Sequence, residues 1–274
     1  MNDQPIGVFD SGMGGLTVLH ALAKALPNER FIYVGDTARV PYGSRSKETI
    51  RRYSVEIASF LVRTGVKYLV IACNTSTAHA EELLRQTMPV PVIGVITPGV
   101  EALVNAVREV SATVGVLGTR STVKSNAYPD RIANIRPDLK VLSRACPLFV
   151  PLVEEGWTNN QVTEQVIREY LDDLVQSGMT AAVLGCTHYP LLKSAISKVY
   201  PDLKLIDSSK VVADAVAFDL EKRSLLHLAK SDDKAQPLRI LLTDVTEHEA
   251  FLEKLFLGIE IGIEELPIDR LKSE

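Results

Sequence analysis

The chain has 274 residues, 46% hydrophobic and 23% charged, proportions that exclude a disordered or fibrous protein and suit one large domain or two ordinary ones. Its 30 basic and 34 acidic residues leave a net charge of −4, which argues against a nucleic-acid or membrane-surface binder. Cys73, Cys146 and Cys186 are too few for a disulfide scaffold, no apolar stretch reaches the ~18 residues of a membrane span, and the N-terminus lacks the basic and apolar regions of a secretory signal; a cytoplasmic protein with reduced thiols is expected.

In chain order, short runs rich in Val and Ile predict strands at residues 6–9, 31–34, 68–73, 92–96, 114–117, 140–142, 181–186, 204–206 and 239–242. Residues 46–64 place Ile50, Tyr53, Ile57, Phe60 and Leu61 on one helical face, with Ser46 able to cap the start and Gly65 following the end. Residues 160–176 read the same way, with Gly178 behind them. Beyond residue 208 the chain offers a helix at 211–226, a polar linker at 231–236, a strand, a helix from Glu247 and a strand-like run at 259–263. Such alternation predicts an α/β fold of mostly parallel sheets with helices on both faces.

The chain also echoes itself. Ile6-Gly7-Val8-Phe9 returns as Val114-Gly115-Val116-Leu117, 108 positions later, and Val70-Ile71-Ala72-Cys73 as Val183-Leu184-Gly185-Cys186, 113 later. Val92-Ile93-Gly94 returns near Leu205-Ile206-Asp207, and Val40-Pro41-Tyr42 as Val150-Pro151-Leu152. Four matches in one order predict two pseudo-symmetric three-layer α/β/α domains with a cleft between them. Residues 1–97 with 208–274 form a discontinuous first domain carrying Cys73, and 98–207 a second carrying Cys186; the C-terminal stretch returns to complete the first.

Cys73 and Cys186 each end a buried strand, at the carboxyl edge where open α/β sheets bind ligands. A helix after each would aim free amides at that edge, favouring a carboxylate and lowering a thiol pKa. A free cysteine is ordinarily a small buried hydrophobe, the reading kept for Cys146, but two at equivalent positions of a duplicated fold point to chemistry. Inverting a carbon centre needs a proton removed from one face and another delivered to the opposite one, and a thiol of pKa ~8.5 serves as base or acid. A zinc site drawn from Cys73, Cys186, His188 and Asp10 lacks the usual ligand spacing, and a Cys/His hydrolase leaves the duplication unexplained. The glycine-rich run 10–15 lacks the lysine of a P-loop and the full dinucleotide spacing, but suits a small carboxylate. Asp10 is either an N-cap, a group that tunes Cys73, or a receiver of an ammonium group. His188 is placed to pair with Cys186. Glu154 reads as a loop acid, either solvated like its neighbour Glu155 or functional. Gly7, Gly35 and Gly115 read as close-packing positions.

Together, Asp10-Ser11-Gly12-Met13-Gly14-Gly15-Leu16, Gly35-Asp36-Thr37-Ala38-Arg39-Val40-Pro41-Tyr42-Gly43, Cys73-Asn74-Thr75 and Gly185-Cys186-Thr187-His188-Tyr189-Pro190 resemble the aspartate/glutamate racemase family, essentially from end to end. The resemblance implies interconversion of L- and D-glutamate without cofactor or metal, supplying peptidoglycan synthesis. It implies that Cys73 takes the α-proton of D-glutamate and Cys186 that of L-glutamate, with Asp10, His188 and Glu154 assisting. It also implies substrate binding by Asp10, Ser11, Pro41, Tyr42, Gly43, Asn74, Thr75, Thr119, Thr187 and His188. Ser76 stands where the family often has Ala, with no expected consequence. Aspartate racemisation and non-catalytic amino-acid binding stay open as alternatives. No motif marks an oligomeric interface, and a homodimer is one assembly the resemblance allows. The short segment before the first strand gives no expectation of activation through an N-terminal extension.

Overall fold

A computed structural model describes residues 3–227, 238–258 and 261–272. The chain opens with β1 (Ile6–Asp10), α1 (Leu16–Ala25), β2 (Phe31–Gly35), α2 (Lys47–Arg63), β3 (Tyr68–Ile71), α3 (Asn74–Thr87), β4 (Val92–Gly94) and α4 (Ile96–Ala106). It continues through β5 (Thr113–Gly118), α5 (Arg120–Lys124), α6 (Ala127–Ile135), β6 (Lys140–Ala145), α7 (Phe149–Glu154), α8 (Gln161–Gln176), β7 (Met179–Gly185), α9 (Lys193–Val199) and β8 (Lys204–Asp207). Then follow α10 (Ser208–Lys222), β9 (Leu238–Leu242), α11 (Glu247–Leu257) and β10 (Ile263–Glu265).

The strands form two parallel sheets, ordered β10-β9-β2-β1-β3-β4 and β6-β5-β7-β8. The order β2-β1-β3-β4 recurs as β6-β5-β7-β8, so three of the echoes fall on equivalent strands, while the fourth places residues 40–42 in a loop and residues 150–152 in α7. Every residue of β1, β2 and β3 is buried, as strands covered by helices on both faces must be. In each sheet the topology switches direction beside the first strand, and the ends of β1 and β3, or of β5 and β7, open onto that crevice. The helix α10 joins the two halves, packing on α1 from one side and on α4 from the other. One apolar core runs through this junction, from Val8, Leu16 and Leu19 to Val212, Val216 and Leu184.

The local signals act as their chemistry requires. The Ser46 hydroxyl accepts from Thr49 N at 3.3 Å to start α2, and Asn160 accepts from Thr163 N at 2.9 Å to start α8. Gly65 and Gly178 follow these helices with φ of +86° and +88°, the left-handed turn that ends a helix and favours glycine.

Several boundaries differ from expectation. The strand expected at 140–142 runs on to Ala145, because β6 pairs with β5 along its whole length. The run 92–96 divides, since β4 stops at Gly94 and Ile96 opens α4. The helix expected at 211–226 begins at Ser208, where Asp207 accepts from Ser209 N at 2.9 Å, and ends at Lys222 before Ser224 turns to a φ of +57°. The linker at 231–236 and residues 259–260 lie outside the described residues; the last strand is Ile263–Glu265, added to the first sheet beside β9. Among the described residues no helix is long and apolar enough to cross a membrane.

Gly35 is a true close-approach position. A Cβ there would lie 2.5 Å from the Gly12 carbonyl oxygen and 2.7 Å from Leu242 Cδ2, and backbone cannot yield as a side chain does. Gly35→Ala is expected to destabilise the fold by about 1–3 kcal/mol, read as a lower urea midpoint at unchanged m-value; an unchanged midpoint contradicts this packing.

Candidate active site

Both cysteines line one cleft of about 470 Å³ between the sheets, a volume suited to a small ligand. Around them on its wall lie Ser11, Pro41, Tyr42, Gly43, Asn74, Thr75, Thr119, Glu154, Thr187 and His188. Asp10 does not line it: it closes β1 beneath the loop that follows.

That loop is shaped by Asp10. Its Oδ1 accepts from Gly12 N at 3.0 Å and from the Ser11 hydroxyl at 3.2 Å, while Oδ2 accepts from the Thr187 hydroxyl of the opposite half at 3.2 Å. Asp10 therefore does not cap α1, whose N-cap is Gly15. Burial pushes its carboxyl above the ordinary range, opposed by the nearby His188 charge and by these donors. Tyr33 donates to Gly12 O at 2.6 Å, and Thr17 reaches across the halves to Thr187 O at 3.1 Å. A Cβ on Gly14 would fall 2.4 Å from Thr187 Oγ1 and 2.5 Å from the His188 ring, so only glycine lets the two loops nest.

A second loop, residues 36–44, carries Pro41, Tyr42 and Gly43. Its anchor, Asp36, was not singled out by sequence reasoning. Asp36 is fully buried and accepts from the Tyr42 hydroxyl, from Arg39 at 2.7 Å and from Thr243 at 3.0 Å. Burial raises the Asp36 carboxyl despite these donors. Arg39 also pairs with Glu56 and stacks on Tyr53, 4.0 Å from the ring centre. Thr243 follows β9, so the end of the chain secures a loop near its beginning.

Cys73 caps α3. Its sulfur accepts from Ser76 N at 3.4 Å, and its S–H donates to the Ser11 hydroxyl at 3.6 Å. The lowered thiol pKa expected at a helix start does not occur here: burial, reinforced by Asp10, pushes the Cys73 thiol up to about 11, against the help of the Ser76 amide. Cys186 has a different setting, because β7 leads into a one-turn helix, Tyr189–Leu192, rather than a full α-helix. Its sulfur lies 3.9 Å from His188 Nδ1, and His188 Nε2 lies 3.0 Å from Glu154 Oε1. Burial disfavours the charged imidazole, but Cys186 and Glu154 outweigh it and raise His188 from 6.5 to about 10. Glu154 is the last residue of α7 and not a loop acid; the helix end is what carries it to His188.

Between the halves, the Thr75, Thr119 and Thr122 hydroxyls form a triangle of 3.0–3.2 Å contacts. Sequence reasoning missed Leu252, which reaches the cleft from α11; that segment has no counterpart in the internal echo. Cys146 is buried with its S–H toward Arg144 O at 3.7 Å, a packing position. Among the described residues no three His, Cys, Asp or Glu side chains converge as metal ligands, so the zinc set considered from sequence does not assemble.

Two parallel sheets of one strand order, facing across a cleft with a cysteine from each, define a duplicated α/β enzyme scaffold. The chain belongs to the Asp/Glu/hydantoin racemase family, whose model matches residues 6–216. It is 54% identical over 222 residues to a glutamate racemase of Geobacter metallireducens, covering 81% of this chain and 82% of that one. It is 44% identical over 270 residues to a glutamate racemase of a Sulfurihydrogenibium species, covering 98% and 99%. The crystal structure of glutamate racemase from Francisella tularensis in complex with D-glutamate superposes with a TM-score of 0.90 at 39% identity, covering 98% and 99%.

The His188 arrangement has a consequence for pH. Between about pH 6.5 and 10 the folded chain retains a proton that an unfolded histidine has released, so this stabilisation is complete below that window and is lost as pH rises through it. Glu154→Gln removes one of the groups raising His188. An NMR titration of the ring is expected to give a lower pKa, with a flatter fall of stability across the window; an unchanged pKa contradicts the coupling.

Proposed function

We propose that the protein is a glutamate racemase that interconverts L- and D-glutamate by two-base proton transfer, supplying D-glutamate for peptidoglycan synthesis in the cytoplasm. One observation carries the reading: Cys73 and Cys186 follow the equivalent strands β3 and β7 and line the same cleft from opposite halves. An amino acid held between them loses its α-proton to one sulfur, and the planar carbanion so formed gains a proton on its opposite face from the other.

The surroundings support a division of labour. Burial keeps Cys73 protonated at neutral pH, which makes it the acid in the direction that starts from L-glutamate. Cys186 takes the α-proton in that direction, and the His188 imidazolium, itself braced by Glu154, meets the negative charge on its sulfur. In the reverse direction Cys73 is the base, and Asp10 is the neighbour through which its proton is managed. The substrate carboxylates are held by donors rather than by a cofactor: Ser11, Thr75, Thr119 and Thr187, the Asn74 amide, and the backbone N–H groups of Tyr42 and Gly43, with Pro41 shaping the loop that presents them. Oriented donors in a closed, dry site stabilise developing charge far better than water does. Closure of residues 98–207 against 1–97 with 208–274 excludes water during the proton transfers.

Proton NMR of the protein with L-glutamate in D2O, with chiral analysis, tests this. Deuterium is expected at Cα of the D-glutamate formed while the remaining L-glutamate stays protonated early on. Exchange of aspartate but not glutamate would reassign the substrate; exchange of neither would leave amino-acid binding. Cys73→Ala and Cys186→Ala are each expected to lower turnover by about 10²–10⁴-fold; near wild-type racemisation by either variant refutes the two-base scheme.

A further inference from the structure

Tyr128, on α6 of the second half, is fully buried and threads between two glycines: a Cβ on Gly185 would lie 3.2 Å from its Cε2, and one on Gly99 3.5 Å from its hydroxyl oxygen. Through this gap its hydroxyl crosses to the first half and donates to Asn74 Oδ1 at 2.7 Å. Asn74 is the first residue of α3, directly after Cys73, and lines the cleft. Its other amide atom, Nδ2, is buried without any hydrogen-bond partner. One turn along α6, Arg131 pairs with the buried Glu81 of α3 at 3.0 Å, so the same helix grips α3 at two places.

We infer that Tyr128 is a positioning residue: it holds the Asn74 carboxamide with Oδ1 turned to the phenol, which leaves Nδ2 as the end offered to a substrate carboxylate. A carboxamide has one donor end and one acceptor end. Left free, it can turn either toward the cleft, and the oxygen end repels a carboxylate. A phenol at a pH where it keeps its proton settles the choice by donating to Oδ1, and burial of Tyr128 pushes its ionisation further away from neutrality. A buried amide N–H without a partner is costly; a bound carboxylate removes that cost, so the unpaired donor becomes part of the affinity for substrate. Because donor and amide belong to different halves, correct orientation also requires that the halves be in register.

The inference rests on the racemase reading, and its test separates the two. Steady-state kinetics are measured for both enantiomers with wild-type protein, Tyr128→Phe, Asn74→Ala and the double variant. Tyr128→Phe is expected to raise KM for L- and D-glutamate about tenfold, with kcat changed by less than about threefold, the signature of lost ground-state binding. In the Asn74→Ala background the same substitution is expected to change nothing further, since contacting residues that act through one another are not additive. Equal factors in both backgrounds would reduce Tyr128 to a packing residue and overturn the inference while wild-type turnover leaves the racemase reading intact. Should Tyr128→Phe fail to fold, the side-chain amide resonances of Asn74 in wild-type protein, assigned by their loss in Asn74→Ala, provide a second readout. They are expected to shift on saturation with D-glutamate, and their indifference to it overturns the inference. Absence of wild-type turnover is the separate failure of the racemase reading, and the amide shift then still reports whether a dicarboxylate engages Asn74.

Discussion

The Asp10 carboxylate is the interaction on which the cleft depends. One of its oxygens organises the loop of its own half, through Ser11 and Gly12, and the other takes the Thr187 hydroxyl of the opposite half. Ser11 faces the Cys73 sulfur, and Thr187 stands between Cys186 and His188. A single buried carboxylate is thus bonded to the immediate neighbours of both thiols while reaching neither the cleft wall nor solvent. Its burial is costly, as its raised pKa shows, and is tolerated because each oxygen is supplied with a donor.

The duplication supplies symmetry of backbone, and the side chains remove symmetry of chemistry. Cys73 sits at the start of a full helix, yet burial and the neighbouring Asp10 keep it protonated. Cys186 lacks such a helix and has a histidine instead, whose pKa is raised by Cys186 itself and by Glu154 from α7. Two equivalent positions therefore stand in different electrostatic settings, one beside a buried carboxylate and one beside an imidazolium. A perfectly symmetric pair of surroundings would treat both thiols alike, where one acid and one base are required.

The elements were legible in the sequence to the extent that their causes are local. Apolar runs located the strands, Ser46 and Asn160 marked helix starts, Gly65 and Gly178 marked ends, and the internal echo revealed the repeated strand order. The motif residues were found at the cleft because they follow strand ends. What was not legible depends on distant partners. The thiol pKa of Cys73 is decided by burial and by Asp10, 63 positions away in sequence, not by the helix it caps. Asp36 depends on Thr243, which lies 207 residues further along, and Tyr128 meets Asn74 across 54. Leu252 arrives from a segment outside the repeat, where no periodicity points to the cleft.

The strand order carries a consequence for how the chain is made. The four-stranded sheet is drawn from one uninterrupted stretch, β5 through β8, whereas the six-stranded sheet takes β9 and β10 from the far end of the chain. During synthesis from the N-terminus, β1 to β4 emerge first but must wait with β2 as an open edge, while the later sheet already has all its strands. The loop bearing Tyr42 gains its Thr243 anchor only after β9 has been translated. The second sheet thus closes on one contiguous stretch, whereas the loop that bears Tyr42 in the first half is secured only by a strand that follows the whole second half.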